Sequence, residues 1–337
     1  MDGVYGMYAT DVIQRGETLA SFPMSQLIKP DDSLYPQGTS DSAKLIHCSA
    51  KEFIKGRVSE YDYFFSLFDS LDEIQEYSSY FASAEDLSAF NKLGQGLCRE
   101  IQSQNEKNHH IIQALHDFDP SIDLDIYTCI TLNFNSRAVG KNGFVPIIDC
   151  FNHSDEKGAN IESLGESVSL KAKIDYNAGE QVYTSYGTLD LLTHAINYNY
   201  FDNKNLHFIQ FHKRFRFMAK AAKEIAMLKH LASRFKVSIQ VSPQGYLYSF
   251  QGSDAFFSET RPSEQLIEIA ETIAQFAPFP GGPKEVLRGF LKQLESENTV
   301  ESCSKKTLPK RYARFYRLLQ KEKQMLYANQ NWVLQNL

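Results

Sequence analysis

Alternation of apolar and polar positions is clearest toward the middle of the chain. Val168, Leu170, Ala172 and Ile174 alternate with Ser169, Lys171 and Lys173, the period-two pattern of a strand with one buried face. Asn177-Ala178-Gly179 predicts a turn, and residues 181–186 read as the next strand, with Val182, Thr184 and Tyr186 on one side. Two further strands are predicted over residues 3–12 and 17–23, parted by the turn signal Gln14-Arg15-Gly16-Glu17. Between them and the later strands, from about residue 41 to 129, the pattern is helical. Ser83-Ala84-Glu85-Asp86 has the form of a capping box, and Leu87, Phe90, Leu93 and Leu97 follow on one helical face. The polar stretch 102–110 reads as a loop or a solvated helix surface, with His109-His110 a surface pair.

Past residue 204 the character changes. Phe211, Phe215, Met218, Ala222, Ile225, Ala232 and Phe235 predict a long amphipathic helix. A hairpin follows around Ser242-Pro243-Gln244-Gly245, then helices over about 262–276, 284–297 and 308–330. There is no internal repeat. The order is strands, helical insert, strands and a mainly helical tail, which disfavours a parallel α/β sheet and predicts an α+β chain. The expected division is residues 1–203, with the insert at about 41–129, and a helical part at 204–337.

Composition narrows the class. With 337 residues, 42% of them apolar and 23% charged, the chain can bury a core and is not a disordered or fibrous sequence. A formal net charge of −6 argues against coating nucleic acid. Cys48, Cys98, Cys129, Cys150 and Cys303 are scattered, without a C-x-x-C pair, which reads as reduced thiols rather than a disulfide framework or a cysteine-rich zinc site. No membrane-spanning run and no signal-peptide pattern is visible, so the expected setting is intracellular, cytoplasmic or nuclear.

Two blocks carry candidate chemistry. Phe144-Val145-Pro146-Ile147-Ile148-Asp149-Cys150-Phe151-Asn152-His153-Ser154 is an apolar run ending abruptly in polar residues. Read by spacing alone it is a buried strand whose polar end caps a turn. His153 has no second His or Cys at ligand spacing, so no metal is expected. The second block is Ala178-Gly179-Glu180-Gln181-Val182-Tyr183-Thr184-Ser185-Tyr186-Gly187; in isolation its Tyr-Gly end is a packing feature.

Taken together and in order, these blocks resemble the SET-domain methyltransferases. Gly3-Val4-Tyr5-Gly6-Met7-Tyr8-Ala9-Thr10 with Arg15-Gly16-Glu17 resembles that family's first motif, a glycine-rich strand entry followed by a G-E turn. Arg137 in Asn135-Ser136-Arg137-Ala138 matches its S-R-A segment, Asn152-His153-Ser154 its N-H-S motif, and Gly179-Glu180-Gln181 through Tyr186-Gly187 the motif bearing its catalytic tyrosine. The long insert, the absence of a cysteine cluster after Tyr186 and the helical tail resemble the Rubisco large-subunit methyltransferase class, which also includes the actin-histidine methyltransferase. The family's N-x-E-L-L and Y-G-F segments are replaced here by a stretch with Leu191-Leu192-Thr193-His194 and by Tyr198-Asn199-Tyr200, which implies a different substrate-side wall.

The resemblance implies a SET β-fold with a helical insert and a C-terminal substrate-binding domain. It implies S-adenosyl-L-methionine as cofactor and a protein lysine as acceptor, with a histidine acceptor or an inactive SET-fold binding module as alternatives. By residue-wise carry-over Tyr186 is catalytic and Asn152 holds the cofactor's amino-acid end. The His153 backbone reads the adenine, and Arg137 pairs with the cofactor carboxylate. The backbone of Val4, Tyr5 and Gly6 lines the same pocket, and Tyr198 and Tyr200 close the cofactor site and lysine channel. Asp149 braces the N-H turn. Lys213, Arg214, Arg216, Lys220 and Lys223, with Lys305, Lys306, Lys310, Arg311 and Arg314, form solvated helix faces or dock an acidic protein substrate.

Overall fold

The alternating segments become two small sheets. In the computed structural model, β1 is Met7–Tyr8, β2 Thr18–Pro23, β3 Asn152–His153, β4 Asn160–Leu164, β5 Ser167–Lys171 and β6 Gln181–Thr184. One sheet has the order β2-β5-β4 and the other β1-β6-β3. The structure describes residues 6–187, 190–199, 201, 206–211, 215, 217–219, 226, 229–231, 233–235, 237–242, 245–250, 254–276, 281–300 and 308–337. Val168 and Leu170 are fully buried while Ser167, Ser169 and Lys171 are half-exposed, as the alternation of β5 requires. Gly179 makes the turn before β6 at φ +83°, a conformation that costs glycine nothing. Its N–H donates to Ala9 O, and the Ala9 N–H donates to Glu180 O, so this turn is stitched to the end of β1.

Packing divides the chain into residues 1–81 with 103–187, and 82–102 with 188–337. In the first unit the sheets enclose Val145, Ile148, Phe151, Val168, Leu170 and Val182. The helices Asp41–Phe53 and Leu124–Arg137 build a separate core there, around Ile46, Tyr127 and Ile130. Each has a side-chain N-cap, Ser40 on Ala43 N–H and Asp123 on Asp125 N–H, the local signal that starts a helix in polar surroundings. The polar stretch 102–110 lies within the long helix Gln95–Phe118, and His109 and His110 are solvated.

In the second unit, Ser83 and Asp86 close both bonds of a capping box at the start of the helix Ala84–Leu93. That helix shares a core with Glu264–Phe276, Gly282–Glu297 and Ala313–Asn336, where Phe90, Leu287, Phe290, Phe315 and Leu319 are buried. Packing therefore groups residues 82–102 and the segment from 188 with the C-terminal part. The single helix expected over 211–235 is not continuous. Phe217–Ala219 is strand β7, antiparallel to Tyr246–Tyr248 of β9 (Gly245–Phe250), which also pairs with β8 (Val237–Ser242). Apolar spacing compatible with a helix is overridden there by a ladder with partners thirty residues away in the sequence. The hairpin expected at 242–245 is present, with Ser242 paired to Gly245.

Candidate active site

The site is built at the end of β6. This strand runs between β1, antiparallel, and β3, parallel, with Asn152 opposite Tyr183 and His153 opposite Thr184. The chain leaves β3, turns, and returns to the same strand: Ser154 N–H donates to Thr184 O at 3.0 Å, Ala159 N–H to Tyr183 O at 2.7 Å, and Ser185 N–H to Ala159 O at 3.3 Å. Glycine at 158 makes this double approach possible. A Cβ there would overlap Ser154 O and stand 2.7 Å from Ser185 N and Thr184 C.

This crossing fixes Tyr186. Its hydroxyl donates to Phe151 O at 3.0 Å and its backbone N–H donates to His153 Nδ1 at 3.1 Å. The two rings stack, with centroids 5.0 Å apart and planes 23° from parallel. Because Nδ1 accepts an N–H, the proton of neutral His153 resides on Nε2, which faces Asp155 Oδ2 at 3.4 Å. His153 is buried, and its imidazole thus supports the catalytic candidate directly, a part that the sequence reading gave only to its backbone.

Beside it lies a cradle of Gly6, Asn152 and Gln181. A Cβ on Gly6 would overlap Gln181 Nε2 and come within 2.8 Å of Asn152 Nδ2. Tyr183 Oη donates to Gln181 Oε1 at 3.0 Å and so orients the amide, leaving Nε2 on the Gly6 side. Nε2 is buried and has no hydrogen-bond partner. A buried donor without an acceptor costs about 1–3 kcal/mol, and a bound acceptor group would recover that cost. Sequence reasoning missed Gln181; the only signal was its position directly after Gly179-Glu180 in the matched motif.

Arg137 is held differently from the expectation. Its Nη1 donates to Asp149 Oδ2 at 3.2 Å, its Nη2 to Leu67 O at 2.8 Å, and the guanidinium lies 5.5 Å from the centre of the Phe68 ring. The Asp149 side chain is fully buried. Burial pushes its carboxyl pKa up, opposed by the Arg137 charge, so the pair stands or falls together. Cys150 next to it is pushed up to about 11 by burial and by the Asp149 charge, and at neutral pH it is a thiol.

Tyr198 caps the helix Leu191–Asn197, donating its N–H to His194 O and setting its ring edge-on to His194 at 5.4 Å. Burial pushes its phenol up to about 12, so it is a neutral hydroxyl. Asp190 starts that helix by accepting from Leu192 and Thr193 N–H, and its other oxygen accepts from Gln210 N–H. Val4, Tyr5 and Tyr200 lie outside the described residues, as do Lys213, Arg214, Arg216, Lys220, Lys223, Lys305 and Lys306. Lys310 and Arg311 are exposed, Arg311 pairing with Asp86, whereas Arg314 is buried rather than part of a solvated face. Among the described residues, no three His, Cys, Asp or Glu side chains are grouped to hold a metal, and no helix is long and apolar enough to cross a membrane.

The two small sheets and the crossing of the N-H-S segment with the tyrosine-bearing strand define the class. The SET domain family model matches residues 4–187, and the chain belongs to that family. Its fold is shared across almost its whole length with solved structures of LSMT. It resembles the SET domain of LSMT bound to lysine and AdoHcy at a TM-score of 0.64 and 17% identity, covering 98% of this chain and 84% of that one. The same domain bound to MeLysine and AdoHcy gives 0.65 at 17% identity, and Rubisco LSMT bound to AdoMet gives 0.63 at 18%, both with the same coverage. No curated protein sequence matches the chain.

Proposed function

We propose that this protein transfers the methyl group of S-adenosyl-L-methionine to a lysine side chain of a protein substrate. The observation that carries the reading is the locked Tyr186: its ring is stacked on His153 and its hydroxyl proton is committed to the Phe151 carbonyl. Toward a substrate that oxygen therefore acts as an acceptor, suited to orient an amine N–H and the developing positive charge. Gly6, Asn152 and the unpartnered Gln181 Nε2 fit a ligand rich in hydrogen-bonding groups, and they would hold the cofactor. Bound there, the cofactor would supply an electrophilic methyl group on a sulfonium.

The remaining chemistry belongs to the chain. Free lysine, with a pKa of about 10.4, is almost wholly protonated near neutrality, and a nucleophile must be neutral. An apolar channel disfavours the ammonium form. Tyr186 then contributes alignment and a preset dipole rather than a proton transfer. The solved LSMT structures with lysine, methyl-lysine and the cofactor or its product support this reading, as does retention of Tyr186, Asn152 and Arg137 together. We assign substrate docking to the C-terminal part, with an acidic partner surface as the complement of its basic residues. Cys48, Cys98, Cys129 and Cys150 are free thiols, which supports action in a reducing compartment, cytoplasm or nucleus.

The test is calorimetry with S-adenosylhomocysteine, followed by mass spectrometry of a cell lysate incubated with the protein and labelled cofactor. Methylated lysine on an acceptor protein is the expected result. Methylated histidine would move the acceptor to the alternative. Binding without transfer would mean an inactive module, and no binding would remove the reading.

A further inference from the structure

The first turn of the C-terminal helix Ala313–Asn336 holds an arginine that the sequence places among solvated basic residues. In the fold, Arg314 is only 5% exposed. Its three nitrogens are spread over three acceptors: Nε donates to Ala195 O at 3.2 Å, Nη1 to Arg311 O at 2.8 Å, and Nη2 to Asn199 Oδ1 at 3.3 Å. The guanidinium plane also covers the Phe315 ring at 4.4 Å. Arg311 O, in the 3-10 turn Lys310–Tyr312 just before the helix, secures the arginine on its own segment. The other two arms reach the end of the helix Leu191–Asn197, on either side of Tyr198.

That helix end needs such a partner. The last carbonyls of a helix have no intrahelical donor. His194 O is satisfied by Tyr198 N–H. Continuing the ladder would require Asn199 N–H on Ala195 O, but Asn199 has φ +56°, the left-handed conformation in which helices commonly end. Arg314 Nε takes up Ala195 O in its place, and the positive charge sits at the negative end of the helix dipole. Its second arm fixes the Asn199 amide, so one planar fork spans the turn that contains Tyr198. Tyr198 itself is held from the other direction by His194.

We propose that Arg314 is a positioning residue for Tyr198: it sets the turn that presents this tyrosine and thereby makes the C-terminal helix a determinant of methyl-transfer geometry. The inference rests on the methyltransferase reading for its consequence, because the SET-domain resemblance behind that reading implies a place for Tyr198 at the cofactor site and lysine channel. Its physical content, the arginine controlling the tyrosine's place, does not depend on that reading. Arginine is needed because lysine offers a single point charge and cannot bridge two acceptors in one plane.

The test compares Arg314→Lys, Asn199→Gly and the double variant with wild type in the full chain. Asn199→Gly keeps the left-handed turn available and deletes only the amide that the fork holds. A fluorotyrosine placed at position 198 reports the ring environment without any need for activity. Arg314→Lys should fold, shift the fluorine resonance, and lower single-turnover methyl transfer or S-adenosylhomocysteine affinity by about tenfold, less than the ~10²-fold that a 1 Å misplacement can cost. Asn199→Gly should shift the same resonance, and the double variant should be no worse than the poorer single one, since both act through one turn. An unchanged resonance in a folded Arg314→Lys protein overturns the inference. So does a loss of stability alone, with kinetic constants and resonance intact. If wild type binds no cofactor while the resonance still shifts, the methyltransferase reading fails and the positioning role stands.

Discussion

Replacing Tyr186 by Phe removes one oxygen from a ring whose other supports remain. The stacking on His153 and the backbone N–H donated to Nδ1 do not involve that oxygen, and the 3.0 Å bond to Phe151 O is lost. A hydrogen bond of this kind contributes about 0.5–1.5 kcal/mol to folding, so the variant should unfold at slightly lower denaturant and bind S-adenosylhomocysteine nearly as wild type does. Catalysis should suffer more. If the oxygen is a preset acceptor in the transition state, kcat should fall by about 10²–10³, equivalent to about 2.7–4 kcal/mol. The two magnitudes separate the roles, because a purely structural hydroxyl cannot produce the larger one. Single-turnover methylation beside calorimetry and urea unfolding for both proteins makes the comparison. Equal turnover would show that Tyr186 only packs, and the assignment would be wrong at its centre.

Other substitutions test the surrounding argument. Gly6→Ala drives a methyl group into Gln181 and Asn152 and should weaken S-adenosylhomocysteine binding by about 1–3 kcal/mol, read by calorimetry; unchanged affinity would detach this cradle from the cofactor. Gln181→Met removes a buried amide with an unsatisfied N–H and should alter apo stability by less than about 1 kcal/mol while lowering cofactor affinity. Gly158→Ala should lose roughly 1–3 kcal/mol in urea unfolding because its neighbours are backbone and cannot give way; wild-type stability would mean that the 154–158 turn is not tightly seated. Burial holds His47 below the ordinary histidine range, opposed by Asp119 and assisted by Lys51. Its contribution is therefore full above about pH 6.5 and is lost as pH falls through the lower folded-state value, so urea midpoints should drop with acidification and do so less in His47→Gln.

Local signals carried much of the fold. The alternation from 168, the Ser83 capping box and the Gly179 turn are short-range patterns; the last two appear as read, and the alternation forms a strand as far as Lys171. Strand β7 was hidden because Phe215 and Met218 satisfy helical spacing, and nothing within ten residues reveals that Phe217–Ala219 pairs with Tyr246–Tyr248. Arg314 was hidden for a related reason: in a run rich in Lys and Arg, burial depends on a helix more than one hundred residues earlier. Gln181 and the imidazole of His153 read as an ordinary polar strand residue and as a backbone contact. Their importance lies in which way an amide is turned and which nitrogen accepts a hydrogen bond, and both follow only from partners brought in by the tertiary fold.

The construction of the site explains why three weak motifs, far apart in the sequence, belong together. β1 and β3 have two residues each and β6 has four, so none of these strands would persist alone. Each acquires its geometry from the others: β6 is paired on both edges, the turn before it is bonded to the end of β1, and the segment after β3 returns to bond it again. The catalytic candidate is therefore held from several sides, although it lies just beyond a strand end. Tyr186 is fixed by backbone and ring atoms of residues 151–153, and the Gly6 cradle is formed by side chains of residues 152 and 181. A substitution that loosens β3 from β6 must disturb both the tyrosine and the cradle. One that alters the helices of residues 41–137 need disturb neither, provided that the Arg137–Asp149 pair beside the N-H turn is kept.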